Sequence, residues 1–288
     1  MNEVIAMHGW AGDSEGWQAW ASHFQARGWN WQSCERGYGS IPTHQAQWTE
    51  TPPIKDHKRN VFIGHSLGLH LINSKVLSEA TDVVLVASFS RFVPKNSTNR
   101  SISIALNSMR NLLGTQNENQ MLKTFLGKAF HPNSVDNSIA GPIQQGISSE
   151  GRKKLKADLD LLIETKALPA EFPSNARVLV IEGAKDEIIL PQTRKDLIKD
   201  LTSKVEKPIS HWIIEEGGHT LMTSKVIEKV CDWLEQKMAE KWSEKVISNF
   251  DLAAHRYGTH AQLQKDVAKL LAKNCAAQNI PKGFWVDL

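Results

Sequence analysis

Cysteine is scarce and scattered in this 288-residue chain: Cys34, Cys231 and Cys275 stand far apart and odd in number. That spacing excludes a disulfide framework and offers no close pair for a zinc site. Long apolar runs are also missing. The stretch around Val61 to Ile72 is too short, and too broken by polar residues, to span a bilayer. The opening Met1-Asn2-Glu3 leads straight into apolar residues, without the basic segment, longer apolar core and cleavage site of a signal peptide. There is no regularly spaced set of metal ligands, no phosphate-cradling glycine loop, no nucleic-acid motif, no internal repeat and no low-complexity segment. These absences predict a cytoplasmic protein that needs no metal or cofactor and binds neither membrane nor nucleic acid.

What is present is ordinary for a folded globular protein. The 41% hydrophobic and 23% charged residues argue against a largely disordered chain, and the length allows one sizeable core with room for an appendage. The net charge of +3 is unevenly spread: from Arg91 to Ala170 eleven Lys or Arg face six Asp or Glu, leaving the remainder slightly acidic.

Short apolar runs at Val4 to Met7, Val61 to Ile63, Val83 to Ala87, Arg177 to Glu182 and His211 to Ile214 read as buried strands. Helical spacing follows at Ser14 to Arg27, Leu67 to Ser78 and Gln192 to Leu201, with a Trp-, Gly- and Pro-rich stretch of short strand and loops from Trp29 to Pro53. Strands alternating with helices predict a mostly parallel sheet, hence an α/β fold. Between Arg91 and Pro169 strand signals vanish, and amphipathic stretches at Ile104 to Leu113, Gln120 to Phe130 and Arg152 to Thr165 replace them. The expected organisation is a core of residues 1–90 and 171–241 with a helical cap, 91–170, inserted into it. A helix from Lys225 to Lys241 leads to an appendage, 242–288, with its own amphipathic helix from Gln262 to Lys273 and a strand-like end, Phe284 to Leu288.

Chemistry concentrates at three places. In Gly64-His65-Ser66-Leu67-Gly68 a serine lies between a strand and a helical run, where a sharp turn pushes its hydroxyl above the sheet and flanking glycines relieve the crowding. A serine hydroxyl is a poor nucleophile, so a base must take its proton and a carboxylate must orient that base. Asp186, after the strand Arg177 to Glu182, is the candidate acid, with Glu187 an adjacent alternative. His219, in Glu216-Gly217-Gly218-His219, is the candidate base, with a plain loop histidine as the bland alternative. The order Ser, acid, His is the one this chemistry takes in the α/β-hydrolase fold. Oxyanion donors are expected from the backbone of Leu67, after the nucleophile, and of Trp10, in His8-Gly9-Trp10 after the first strand. His8 and His65 are better explained by site architecture than by base chemistry. The basic run Arg152-Lys153-Lys154-Lys156 reads as a solvated helix face or as a surface for an acidic partner.

From Met7 to about Gln236 the sequence resembles the pimeloyl-acyl-carrier-protein methyl ester esterases of biotin synthesis. The resemblance rests on His8-Gly9-Trp10, Gly64 to Gly68, Leu159 to Pro169, Asp186 and Gly218-His219. It implies a serine carboxylesterase that cleaves the methyl ester of pimeloyl-acyl-carrier protein, releasing methanol, with acyl-carrier protein as partner. It further implies that Trp10 and Leu67 hold the carbonyl oxygen, that Phe125, Leu126 and Lys128 line the acyl channel, and that the basic cap faces the carrier. The family's carrier-binding arginines do not map cleanly onto this cap. Ser248 to Tyr257, with Trp285 to Leu288, resembles the start of the malonyl-acyl-carrier-protein methyltransferase, which installs the same ester. The chain stops before that enzyme's glycine-rich cofactor loop, so the resemblance implies a functional link rather than methyltransferase activity. A simple helical extension is the bland alternative. A general carboxylesterase or thioesterase, and a non-catalytic binding protein of the same fold, remain open at this point.

Overall fold

The computed structural model describes residues 2–49, 58–95, 99–134 and 141–235, together with 269, 270 and 273. The chain divides into two compact units, Met1–Glu228 and Lys229–Leu288, and the sheet and its covering helices belong to the first. Residues 224–235 are helical. The rest of the helix expected to reach Lys241, and the strand-like end of the appendage, lie outside the described residues. Residues 269, 270 and 273, within the expected Gln262 to Lys273 helix, are helical.

Six strands form one sheet: β1 (Glu3–Met7), β2 (Asn30–Ser33), β3 (Asn60–His65), β4 (Asp82–Val86), β5 (Arg177–Gly183) and β6 (Ser210–Ile214). Their order is β2-β1-β3-β4-β5-β6 and every pairing is parallel. Parallel strands need crossovers that cover both faces, so these strands read as continuous apolar runs. Ile5, Met7, Phe62, Val83, Leu85, Val178 and Val180 share one core with Val76, Leu77, Leu197 and Leu201 of the covering helices. The alternate residues Val4, Ala6, Val61, Ile63, Val84, Val86, Leu179 and Ile181 are buried as well, as a period of two places them on the other face.

Two helices differ from the sequence expectation. Ser14 to Arg27 splits into a 3₁₀ turn, Ser14–Trp17, and α1 (Gln18–Gln25); the Asp13 side chain accepts the Gly16 N–H at 3.2 Å, satisfying one of the free donors of the 3₁₀ turn. Leu67 to Ser78 is two short helices, α2 (Gly68–Leu71) and α3 (Ser74–Ser78), because Ile72 is extended and Asn73 caps the second by accepting the Lys75 N–H at 2.9 Å.

Between β4 and β5 lie α4 (Asn99–Leu112), α5 (Glu118–Phe130), the short α6 (Pro142–Gln145) and α7 (Ser149–Glu164); α8 (Pro191–Lys204) then connects β5 to β6. Leu106 of α4, Leu122 of α5 and Leu155, Leu159 and Leu162 of α7 share a core with Trp10, Leu67 and Phe89 at the top of the sheet. The polar anchor of this packing is Asp158 on α7, which is 2% exposed. Arg36 grips its two oxygens at 2.8 and 2.6 Å, and the Tyr38 hydroxyl donates to it at 2.7 Å. Burial first, then the Asp158 carboxylate, hold the Tyr38 hydroxyl well above its ordinary pKa, so it remains a donor. Beside this pair, α7 runs so close to the loop after β2 that a Cβ on Gly151 would fall 1.7 Å from the Tyr38 carbonyl oxygen.

Removing one partner of a buried ion pair strands the other without compensation. Asp158→Ala is therefore expected to lower the unfolding free energy by about 3 kcal/mol, read from urea denaturation at pH 7. An unchanged midpoint would mean that the Arg36–Asp158–Tyr38 contact does not fasten α7 to the sheet.

Candidate active site

The sheet order reverses between β1 and β3, and in open parallel sheets the crevice beyond the strand ends at such a point is where ligands bind. His8-Gly9-Trp10 leaves β1 there and Ser66 leaves β3 there. Ser66 has φ of 53°, a strained left-handed conformation for a residue with a side chain. The turn is held by the Ser66 N–H donating to the Val86 carbonyl at 2.9 Å and the Ser88 hydroxyl donating to the Ser66 carbonyl at 2.7 Å. Its glycines are required by contact: a Cβ on Gly68 would lie 2.2 Å from the Met7 carbonyl oxygen, and one on Gly9 would lie 2.8 Å from Ser66 Cβ.

Asp186 follows β5 with its side chain buried. Its Oδ1 accepts the N–H groups of Ile188 and Ile189 at 2.7 and 2.9 Å, and its Oδ2 meets His219 Nδ1 at 2.9 Å. Burial alone would raise this carboxyl's pKa, but the charge of and hydrogen bond to His219, with the Ile189 and Ile188 N–H groups, hold it below the ordinary value. Asp186, and not Glu187, therefore meets His219. Glu187 is half exposed and lies 3.4 Å from His131. With Nδ1–H given to Asp186, the Nε2 of His219 is left as an acceptor.

His65, next to Ser66, ties the base loop to the serine turn: its Nε2–H donates to the His219 carbonyl at 3.1 Å and the two rings lie 4.9 Å apart. Burial, with the neighbouring His219, pushes the His65 pKa down to about 3, so its ring stays neutral. No hydrogen bond joins Ser66 to His219 among the described residues; such bonds commonly tighten only when substrate is bound. On the cap side, the Thr220 N–H donates to the Ala129 carbonyl of α5 at 3.2 Å, and a Cβ on Gly218 would fall 1.7 Å from the His131 carbonyl oxygen. The loop that carries His219 is thus wedged between the serine turn and the last turn of α5.

Neither the Trp10 nor the Leu67 backbone N–H has a hydrogen-bond partner among the described residues. Trp10 is fixed by its indole N–H donating to the Leu155 carbonyl at 3.0 Å and by an edge-to-face contact with Phe125, 4.9 Å between centroids. His8 accepts the Arg36 N–H at 3.1 Å while its Nδ1 faces the Gly9 carbonyl at 2.9 Å, which fits a structural role.

A cavity of about 620 Å³ opens above Ser66, Trp10 and Leu67. Its walls are mostly apolar: Phe92, Ile102, Leu106 and Met109 on one side, Met121 and Phe125 on the other, and Leu159 and Leu162 of α7. Phe125 and Lys128 line it, one helical turn apart on α5. Leu126 does not line it and corrects the expectation, because one residue along a helix turns the side chain about 100° away from Phe125. Asn117, Gln120 and the α4 residues were not singled out in the sequence; their spacing of three and four residues was the available signal. Among the described residues no three His, Cys, Asp or Glu side chains cluster as a metal site, and no helix is long and apolar enough to cross a membrane.

No protein-family model matches this sequence, and no curated protein matches it. Solved structures do match in shape. An esterase from Exiguobacterium antarcticum superposes with a TM-score of 0.59 at 14% identity, covering 82% of this chain and 92% of that one. An enol-lactonase from Burkholderia xenovorans LB400 gives 0.58 at 13% identity over 81% and 91%. A bromoperoxidase from Bacillus anthracis gives 0.56 at 15% over 81% and 92%. The chain has the α/β-hydrolase fold. Within that fold, Ser66, Asp186 and His219 follow strands β3, β5 and β6 on the side of the sheet where the crevice opens.

The depressed His65 pKa has a consequence for stability. An unfolded histidine takes a proton below about pH 6.5, whereas folded His65 resists it until about pH 3. The unfolded state therefore binds more protons in this window, and stability falls as pH drops through it. His65→Gln keeps an N–H donor without the titrating ring. Urea denaturation at pH 7 and pH 5 is expected to show a smaller acid loss for the variant than for the wild type; equal losses would contradict this assignment.

Proposed function

We propose that this protein is a serine carboxylesterase, with Ser66 as nucleophile, His219 as general base and Asp186 as its orienting acid. The observation that carries the reading is the buried Asp186–His219 pair set beside a strained serine turn, beneath two unpaired backbone N–H groups. In this reading Ser66 Oγ attacks the ester carbonyl as His219 Nε2 takes its proton. The negative charge on the former carbonyl oxygen is met by the Trp10 and Leu67 N–H groups, each such donor contributing about 3–4 kcal/mol. His219 then returns the proton to the departing alcohol. A water, deprotonated by the same His219, releases the acid and restores Ser66.

The proposed substrate is the methyl ester of pimeloyl-acyl-carrier protein, with methanol and the free acid as products, in the cytoplasm and in biotin synthesis. The support is the motif resemblance together with a mostly apolar cavity suited to a methylene chain. The carrier-facing surface in this reading differs from the basic run read in the sequence. Arg152 is held by buried Glu118, Lys153 by Glu150, and Lys154 by the Arg36 carbonyl at 3.0 Å. Lys95, Arg100, Lys123 and Lys128 are exposed cap cations that an acidic carrier could meet in this reading. The proposed functional link to a methyltransferase falls on residues outside those described.

Purified protein is expected to release methanol from pimeloyl-acyl-carrier-protein methyl ester, and Ser66→Ala to abolish this by at least a thousandfold, on the scale of removing a triad nucleophile. Undiminished turnover by the variant would overturn the assignment. Faster cleavage of p-nitrophenyl butyrate than of the carrier-bound ester would favour a general carboxylesterase. Labelling by a fluorophosphonate that is lost in Ser66→Ala would exclude a non-catalytic binding protein.

A further inference from the structure

Ser66 is not alone in its strain: Ala87, the residue after β4, has φ of 45°, a left-handed conformation that residues with side chains rarely adopt. Neither Ala87 nor its neighbour Ser88 has a part in the acyl transfer proposed above. β3 and β4 pair in register as far as His65 and Val86, so Ser66 and Ala87 would come next. A parallel ladder bonds a residue to the two that flank its partner, to one through its N–H and to the other through its carbonyl. The first of these bonds is made, from the Ser66 N–H to the Val86 carbonyl at 2.9 Å. The second would run from the Ser88 N–H to the Ser66 carbonyl, and it is absent among the described residues. The left-handed turn at Ala87 takes the Ser88 N–H out of the ladder. The Ser88 hydroxyl donates to the Ser66 carbonyl in its place, at 2.7 Å, from a side chain that is buried away from water.

That carbonyl matters because of what shares its plane. A peptide unit is planar and trans, so the Ser66 carbonyl and the Leu67 N–H point in opposite directions. Whatever holds the carbonyl from behind fixes where the N–H points in front, and a hydrogen bond to the oxygen also strengthens the N–H as a donor. The Leu67 N–H is one of the two groups proposed to meet the oxyanion, and the other is built alike. The Gly9 carbonyl, in the same peptide as the Trp10 N–H, accepts the Gly12 N–H at 3.2 Å and lies 2.9 Å from His8 Nδ1. Since His8 Nε2 accepts the Arg36 N–H, Nδ1 carries the proton and donates to that carbonyl. Trp10 and Leu67 both line the cavity, and each donor peptide is pinned from behind by a buried side chain.

We infer that Ser88 is a positioning residue of the oxyanion hole: its hydroxyl, standing in for a backbone rung of the sheet, aims the Leu67 N–H at the oxygen that becomes negative in the transition state. The role rests on the esterase reading of Ser66 and extends the machinery to a residue outside the triad and its motifs. Without this hydroxyl the Ser66 carbonyl loses its donor, and the Ser66–Leu67 peptide is no longer held in one orientation. A preorganised donor acts on charge that exists only in the transition state, so the effect falls on kcat and leaves KM nearly unchanged. A serine that merely filled space beside the turn would not produce that split.

The test follows hydrolysis of p-nitrophenyl butyrate by the full chain, with butaneboronic acid, whose adduct with a serine is tetrahedral and anionic, as the transition-state mimic. Ser88→Ala is expected to lower kcat about tenfold with KM changed by less than about twofold, a smaller loss than the roughly hundredfold or more that follows removal of an oxyanion donor itself. Ser88→Cys, close in size but a weak donor, is expected to show a loss of the same kind while keeping the site filled. In both variants the inhibition constant of the boronic acid should rise by about the factor by which kcat/KM falls. An unchanged kcat in Ser88→Ala and Ser88→Cys, or a loss of activity with the affinity for the boronic acid intact, would overturn the positioning role. Absence of any Ser66-dependent cleavage by the wild type would overturn the esterase reading itself, and the role of Ser88 with it.

Discussion

The close approach of two backbones at the top of β1 and β3 is the constraint on which the rest depends. Gly68 lies against the Met7 carbonyl and Gly9 against Ser66, with no room for a Cβ at either place. Because the segments meet this closely, the serine turn is forced into its left-handed conformation and its side chain points out of the sheet. The same contact leaves the Trp10 and Leu67 N–H groups without backbone partners in one small region. Strain at Ser66 is stable only because the surrounding parallel strands, buried on both faces, fix both ends of the turn.

Charge is used differently in the cap and in the site. In the cap, Asp158 and Glu118 are buried and paired with arginines, so they fasten α7 to the sheet and α5 to α7. In the site, Asp186 is buried against a histidine whose second nitrogen is left as an acceptor, and His65 is kept neutral by its burial. The first arrangement pairs both buried carboxylates locally. The second leaves one imidazole nitrogen and two N–H groups unspent, and unspent polar groups in a dry site are what acyl-transfer chemistry draws on.

Much of the core was legible because its signals are local. A buried parallel strand must be an apolar run, and the runs at Val4, Val61, Val83, Arg177 and His211 fell where β1, β3, β4, β5 and β6 lie. The helix from Leu67 to Ser78 was misread as continuous because Asn73, a capping residue, sits inside an apolar period that continues across it. The contacts of the basic run at Arg152 were not legible for a different reason: charge counts along a sequence do not show which carboxylate a side chain meets, and Glu118 lies 34 residues away. The family resemblance placed Leu126 in the channel beside Phe125, whereas a helix groups residues by threes and fours.

The sequence by itself determined the α/β layering, the serine between its glycines, and the order of serine, acid and histidine, since each follows from residue type and short-range spacing. Only the tertiary structure showed that Asp186 rather than Glu187 meets His219, paired Arg36 and Tyr38 with Asp158, and brought Asn117 and Gln120 to the same cavity as Phe125. The physical reason is that these choices depend on distances between groups far apart in the chain, and such distances are set by packing rather than by any local preference.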